Sequence, residues 1–171
     1  MDVRITTKSL AKIGYVLMHL QYTERIIKRV MQVAMPREAD LFISLPERLG
    51  SKDMDRPLGA FVAELRKRAY LDQELGGLLK SFLLQRNVFI HDIAQPEGWT
   101  LKTKEGIRVV DTQLNQILEN SEKVRSHFKA LLYSWKIQAD LETSEEEAEA
   151  FTAISGTYEG GILSRKWGNG A

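Results

Sequence analysis

The stretch LLKSFLLQRNVFIHDIA, residues 78–94, decides the fold. Most of its positions are apolar, which predicts a central helix buried by several neighbours. Within it lie Arg86, Asn87 and His91. Burying such polar groups without partners costs about 2–7 kcal/mol each. The stretch therefore predicts either a structural hydrogen-bond network or a site for a negatively charged ligand.

Outward from this stretch, apolar residues recur at helical steps of three and four. Pro36 ends the first of the predicted helices, Asp55 with Pro57 begins the second, and Thr103 caps the fourth. The fourth carries a long stripe close to a heptad repeat, which suits an overhang and a dimer surface. The four helices are predicted near residues 7–34, 55–69, 72–94 and 104–139.

Two segments depart from this pattern. Residues 35–55 are irregular, and LFISL at 41–45 suits either a strand or a helical turn. After residue 140, EEEAEAF at 145–151 predicts one short acidic helix, and glycine-rich sequence follows. We therefore predict an all-α bundle of four to five helices over 1–140, with a long helix in its C-terminal half and a weakly ordered tail over 141–171.

Composition restricts the class of protein. The 24 basic and 23 acidic residues nearly balance, so nucleic-acid binding would require a local basic patch. There is no cysteine, which excludes disulfides and thiolate metal sites. His19, His91 and His127 are too scattered for a zinc pattern. With no apolar signal region or membrane-length apolar run, we expect a cytoplasmic protein without membrane contact, metal or cofactor.

The polar residues of the central stretch suit a phosphate ligand. Asn87 and His91 are four residues apart and share a helix face, whereas Arg86 lies about 140° from His91. Arg86 either reaches round the helix or meets His91 across a symmetric dimer. Arginine binds phosphate bidentately, and histidine transfers protons near neutral pH. One imidazole and one guanidinium suffice in principle for metal-free RNA cleavage by the 2′-hydroxyl.

The spacing Arg-Asn-x-x-x-His, late in an apolar helix of a small α-bundle, resembles the signature of the HEPN (higher eukaryotes and prokaryotes nucleotide-binding) superfamily. LLQRNVFIHDI carries the motif, RPLGAFVAEL resembles the segment that opens the second helix in bacterial members, and YTERIIKRV carries a glutamate of the first helix. Together these segments cover about residues 10–135.

This resemblance implies a usually dimeric four- or five-helix bundle. Catalytic members are metal-independent endoribonucleases of toxin–antitoxin, abortive-infection and CRISPR systems, and Arg86, Asn87 and His91 fall on their catalytic positions. Glu24 falls on the position of a supporting partner for Arg86. One toxin branch has, three residues after the histidine, a tyrosine that its antitoxin modifies; Ala94 stands there in this chain, so that mode of silencing is not expected.

The resulting expectation is a toxin or defence ribonuclease that acts on RNA, forms a homodimer and answers to an antitoxin or regulatory protein. Arg25, Lys28 and Arg29 are the candidate RNA-binding residues. The alternative is a catalytically silent HEPN-like module that binds RNA or nucleotide or acts as a scaffold. A third interpretation is an unrelated helical bundle, in which Arg86 and His91 are buried, internally satisfied and without an adjoining cleft.

Overall fold

The computed structural model describes residues 7–34, 55–71, 73–93, 96, 98–138, 140–155 and 164–165. The described residues form five α-helices, which confirms the predicted all-α bundle with its long helix in the C-terminal half. A two-residue antiparallel pairing joins Ala69–Tyr70 to Ser164–Arg165. The helices are α1 (Thr7–Ala34), α2 (Leu58–Arg68), α3 (Gln73–His91), α4 (Lys104–Gln138) and α5 (Glu145–Ser155), and the strands are β1 (Ala69–Tyr70) and β2 (Ser164–Arg165).

The starts of α2 and α4 follow the predicted local chemistry. Pro57 directly precedes α2, and its carbonyl accepts a hydrogen bond from the amide of Ala60 at 2.9 Å. The hydroxyl of Thr103 accepts from the amide of Gly106 at 3.0 Å, which confirms the predicted cap of α4. The predicted bounds of α1 are also confirmed, and α4 ends one residue earlier than predicted.

Long-range pairs define the directions of the three long helices. Lys12 contacts Asp111 at 3.0 Å, and farther along both helices Arg125 contacts His19 at 3.3 Å, so α1 and α4 run in the same direction. Gln85 of α3 contacts Asn120 of α4 at 2.8 Å, and later residues of α3 line a cleft with earlier residues of α4, so these two helices are antiparallel. Both α1 and α3 therefore pack along α4.

The core lies between α4 and the apolar faces of the other long helices, with α2 closing one side. The predicted stripe of α4 supplies many of its residues. Fully or almost fully buried side chains include Val16, Leu20 and Ile27 of α1, Leu58 and Leu65 of α2, Leu75, Leu79 and Phe82 of α3, and Val110, Leu114 and Val124 of α4.

The prediction that several neighbours bury α3, which is apolar nearly all round, is wrong. Leu84 is 65% exposed and Ile90 is 36% exposed, so one face of the helix points away from the core. Periodicity could not show this, because α3 packs mainly on α4 and leaves its opposite face without a described neighbour. The helix runs over Gln73–His91 rather than 72–94. Pro36, LFISL at 41–45 and Ala94 lie outside the described residues.

The predicted acidic helix is present as α5 and packs on the end of α4. The ring centroids of Tyr133 and Phe151 are 5.0 Å apart, and both carboxylate oxygens of Glu147 accept from the Lys136 ammonium at 2.8 Å. The domain boundary at residue 140 stays a prediction. None of the described helices combines the length and the apolar character that crossing a membrane requires.

Candidate functional site

Arg86 faces inward from α3 and meets the first helix. Its Nη2 donates to Oε2 of Glu24 at 3.0 Å, and its Nη1 donates to Oδ1 of the adjacent Asn87 at 3.1 Å. The Arg86 side chain is 21% exposed, and its buried Nε has no partner among the described residues. The contact between Arg86 and Glu24 is therefore present, as the resemblance implied, while their catalytic roles stay predictions.

Glu24 binds a second cation on its own helix. The Lys28 ammonium lies 2.8 Å from Oε1 of Glu24, and the Lys28 side chain is only 9% exposed. Lys28 also lies 5.6 Å from the ring centroid of Phe61 on α2, close enough for a cation–π contact. One carboxylate thus stands between two cations, one buried and one half-buried.

Asn87 and His91 lie on the exposed side of α3. Leu84 lies on the same face, because it is four residues before Val88 and seven residues, or two helical turns, before His91. No described residue makes a hydrogen bond to the His91 ring. The expected burial cost therefore applies to Arg86 and not to Asn87 or His91, which corrects the premise that all three sit in a core environment.

The structure joins only part of the predicted set. Arg86 holds Asn87 and Glu24, but no hydrogen bond among the described residues joins His91 to Arg86 or to Asn87. A five-residue separation places the two groups about 140° apart on the helix. Within one chain, the guanidinium faces α1 and the imidazole faces solvent.

The candidate RNA-binding residues also divide into exposed and buried side chains. Arg25 and Arg29 are exposed on α1, whereas Lys28 is buried against Glu24 and Phe61. Burial leaves little of the Lys28 side chain accessible to a phosphate. RNA binding by all three residues stays a prediction.

The other histidines have structural contacts. His19 is half-buried, packs against the Tyr15 ring with centroids 4.3 Å apart, and contacts Arg125 through Nδ1. Nδ1 of His127 lies 2.7 Å from the carbonyl oxygen of Lys123. Within the described ranges, no three histidine or acidic side chains come together in a group that could hold a metal ion.

A cleft beside the motif was not predicted. It has a volume of about 270 Å³ and opens between the second half of α3, the first half of α4 and the turn that joins them. Its walls come from residues between positions 84 and 117, so no local pattern reveals it. The spacing of Gln113 and Gln116 on one side of α4 is the single signal that the sequence offers for it.

Comparison of the chain with protein-family models, with curated proteins and with solved structures finds no match.

Proposed function

We propose that this protein is a metal-independent endoribonuclease of a bacterial toxin or defence system, with Arg86, Asn87 and His91 as its catalytic residues. The observation that carries the proposal is the orientation of Arg86, which Glu24 and Asn87 hold on the helix that exposes His91. An oriented guanidinium suits the charge that develops on a phosphorane, and an exposed imidazole is accessible to a hydroxyl proton.

In the proposed reaction, the His91 imidazole takes the proton of the 2′-hydroxyl as the 2′-oxygen bonds to phosphorus. The bond from phosphorus to the 5′-oxygen breaks, that oxygen takes up a proton from water, and the His91 imidazolium neutralises the hydroxide that this leaves. The products are a 2′,3′-cyclic phosphate and a 5′-hydroxyl. Because His91 and Arg86 point to different sides of α3, we propose that the reacting set forms from two copies of the chain.

The exposed face of α3 supports this arrangement. Leu84, at 65% exposure, and Ile90, at 36%, flank Asn87 and His91 on the outward half of the helix. A symmetric dimer that covers these apolar side chains brings each His91 close to the motif of the second copy. Exposed apolar side chains next to polar groups are the usual composition of such interfaces.

The test is cleavage of single-stranded RNA in EDTA by the wild type, by His91→Ala and by the control His127→Ala. We expect wild-type and His127→Ala cleavage with cyclic-phosphate products, and a loss of at least about 100-fold in His91→Ala. A single 2′-deoxy substitution at the cleaved position should block the reaction. Equal activity of the wild type and His91→Ala, or no cleavage of varied RNAs, contradicts the proposal.

One observation favours the silent binding or scaffold module as the second candidate. Both terminal nitrogens of Arg86 already have protein partners, which is what a structural bridge requires. That function predicts stability losses in Arg86 variants with no RNA turnover by the wild type. The exposure of His91 and the cleft beside α3 count against the third interpretation, the unrelated helical bundle, which required a buried His91 and no adjoining cleft.

A further inference from the structure

The volume of the cleft beside α3 and the side chains that line it restrict the ligands that can bind there. At about 270 Å³ it lies near the small end of ligand pockets, so it suits a single ring system. None of its lining side chains is ionisable, so a charged group gains no partner there. The lining residues are Leu84, Gln85, Val88, Phe89, Ile93, Pro96, Trp99, Gln113, Gln116 and Ile117.

Two aromatic side chains give the cleft surfaces for a flat ring. Phe89 is 6% exposed and belongs to the core, and Trp99 is half-buried against the same core. The amide of Trp99 donates to the carbonyl of Pro96 at 3.0 Å, which fixes the turn that carries the indole. Unpaired bases of RNA are bound by stacking on such rigid aromatic side chains.

A carboxamide network supplies polar groups at the cleft. Asn120, only 8% exposed, donates through Nδ2 to Oε1 of Gln85 at 2.8 Å. The Gln85 amino group therefore remains a donor for a ligand. Gln113 makes no hydrogen bond to another described residue, so both its amide oxygen and its amino group are open. A free carboxamide matches the adjacent donor and acceptor on the N6/N7 edge of adenine.

The cleft also lies next to the proposed catalytic face. Val88 lines the cleft three residues before His91, and Leu84 lines it three residues before Asn87. Helix residues three apart have Cβ atoms about 5–6 Å from each other. A base in the cleft and its attached phosphate at His91 are thus separated by about the size of one nucleotide.

We infer that this cleft binds an unpaired adenine of the RNA strand next to the phosphate that is cleaved. The base stacks against Trp99 and Phe89, and the Gln113 carboxamide pairs with its N6/N7 edge. This inference rests on the proposed ribonuclease function, because that function supplies the strand. Binding of the nucleoside itself does not depend on cleavage, so the two can be tested separately.

The first experiment titrates the full chain with adenosine and uridine and follows binding by ligand-detected NMR. Val88→Trp fills the cleft from α3, and Gln116→Trp fills it from α4, where the native side chain is exposed. Asn115→Trp on α4 adds comparable bulk at an exposed position outside both the cleft and the face of α3 that carries Leu84 and His91, and is the matched control. We expect adenosine to bind the wild type and Asn115→Trp alike, and about tenfold or more weakly to both filled variants.

The second experiment compares adenosine with purine riboside, which lacks only the N6 amino group. The wild type should prefer adenosine, and Gln113→Leu should bind the two equally because the pairing carboxamide is gone. No adenosine binding by the wild type, equal binding of uridine, or unchanged binding in both filled variants overturns the inference. So does a preference for adenosine that survives in Gln113→Leu.

Cleavage assays then separate the two proposals. Oligonucleotides with each of the four bases beside the cleaved phosphate should be cut fastest with adenine, and Gln113→Leu should remove that preference. If no RNA is cut but adenosine binds in the cleft as described, the ribonuclease proposal fails and the adenine site stands. If RNA is cut without base preference and adenosine does not bind, the adenine site fails alone.

Discussion

Glu24 holds two cations at once, Arg86 of α3 and Lys28 of its own helix. Its side chain is 17% exposed, and those of the cations are 21% and 9% exposed. Replacing it by glutamine removes the carboxylate that the two cations share in a poorly solvated region. We expect Glu24→Gln to lower the free energy of unfolding by about 2–3 kcal/mol in urea titrations.

The chain contains a matched control for that variant. Glu119 and Lys123 have the same four-residue spacing on α4, but both side chains are 55% exposed. Water solvates both groups, so Glu119→Gln should change the free energy of unfolding by less than about 0.5 kcal/mol. Equal losses in the two variants would show that Glu24 stabilises no more than a surface pair does.

At the residue scale, features that neighbouring residues in the sequence determine could be predicted, and features that depend on distant segments could not. The cap by Thr103 is local chemistry and was predictable, and the partner role of Glu24 came from the motif. The capping box at the start of α5 was missed, although Ser144-x-x-Glu147 is its usual sequence pattern. The exposure of His91 was not predictable, because it depends on which neighbours α3 lacks.

Gly106 lies in the first turn of α4, where the backbone passes so close to the preceding turn that no side chain fits. A Cβ at this position would lie 2.3 Å from both the carbonyl oxygen and Cγ2 of Thr100. Alanine normally stabilises a helix relative to glycine by about 1 kcal/mol. We expect the opposite sign here, a loss of about 1–3 kcal/mol in thermal or urea unfolding of Gly106→Ala, because backbone must move.

Gly77 of α3 provides the contrast within the same molecule. Nothing lies within 4 Å of a Cβ built there, and the position is exposed. Gly77→Ala should therefore stabilise the protein by about 0.5–1 kcal/mol. Stabilisation by both substitutions would mean that the turn before α4 yields without cost.

The junction of α4 and α5 gives the bundle a titratable contact. Glu147 accepts from the backbone amide of Ser144 at 3.0 Å, and the Ser144 hydroxyl accepts from the Glu147 amide at 3.2 Å, which forms a capping box. Burial alone would raise the pKa of Glu147, but hydrogen bonds from Lys136 and Ser144 outweigh it. The net effect lowers the pKa below its ordinary value of 4.5.

A lowered pKa means that the folded state favours the charged carboxylate. The stabilisation is complete at pH values above 4.5 and is lost as the pH falls through the folded-state pKa. Glu147→Gln should therefore be less stable than the wild type at pH 7, and the difference should shrink below pH 4.5. Urea unfolding across this range measures it, with Glu149→Gln, exposed on the same helix, as control. A difference that is constant with pH contradicts the assignment.

At the scale of the whole molecule, the helical periodicity of apolar residues was sufficient to predict the bundle but not the surface features that the bundle presents. Four apolar stripes specify helices that pack together, and the bounds of α1 and α4 follow from them to within a residue. The face of α3 with Leu84 and His91, and the cleft between α3 and α4, arise from packing between distant segments. These are the features on which the functional proposals depend.

Whether the active site forms within one chain or between two copies can be decided by mixing inactive variants. In a shared site, each Arg86 works with the His91 of the other copy. A dimer of one Arg86→Met chain and one His91→Ala chain then contains one site with both native residues and one with neither. We expect each variant alone to be inactive, and the mixture, after subunit exchange, to recover up to about one quarter of wild-type cleavage, because half of the dimers are mixed and each has one intact site.

A site within one chain gives the opposite result, because every chain in the mixture lacks one catalytic residue. Mixing His91→Ala with Glu119→Gln, a surface variant outside the motif and the cleft, controls for effects of exchange itself, because half of the wild-type cleavage should remain. Ile90→Glu supplies an independent check, since a charge on the exposed face of α3, outside the cleft, should separate the copies in size-exclusion chromatography with light scattering and abolish cleavage together. Cleavage by a monomeric Ile90→Glu chain would contradict a shared site, whatever the mixtures show.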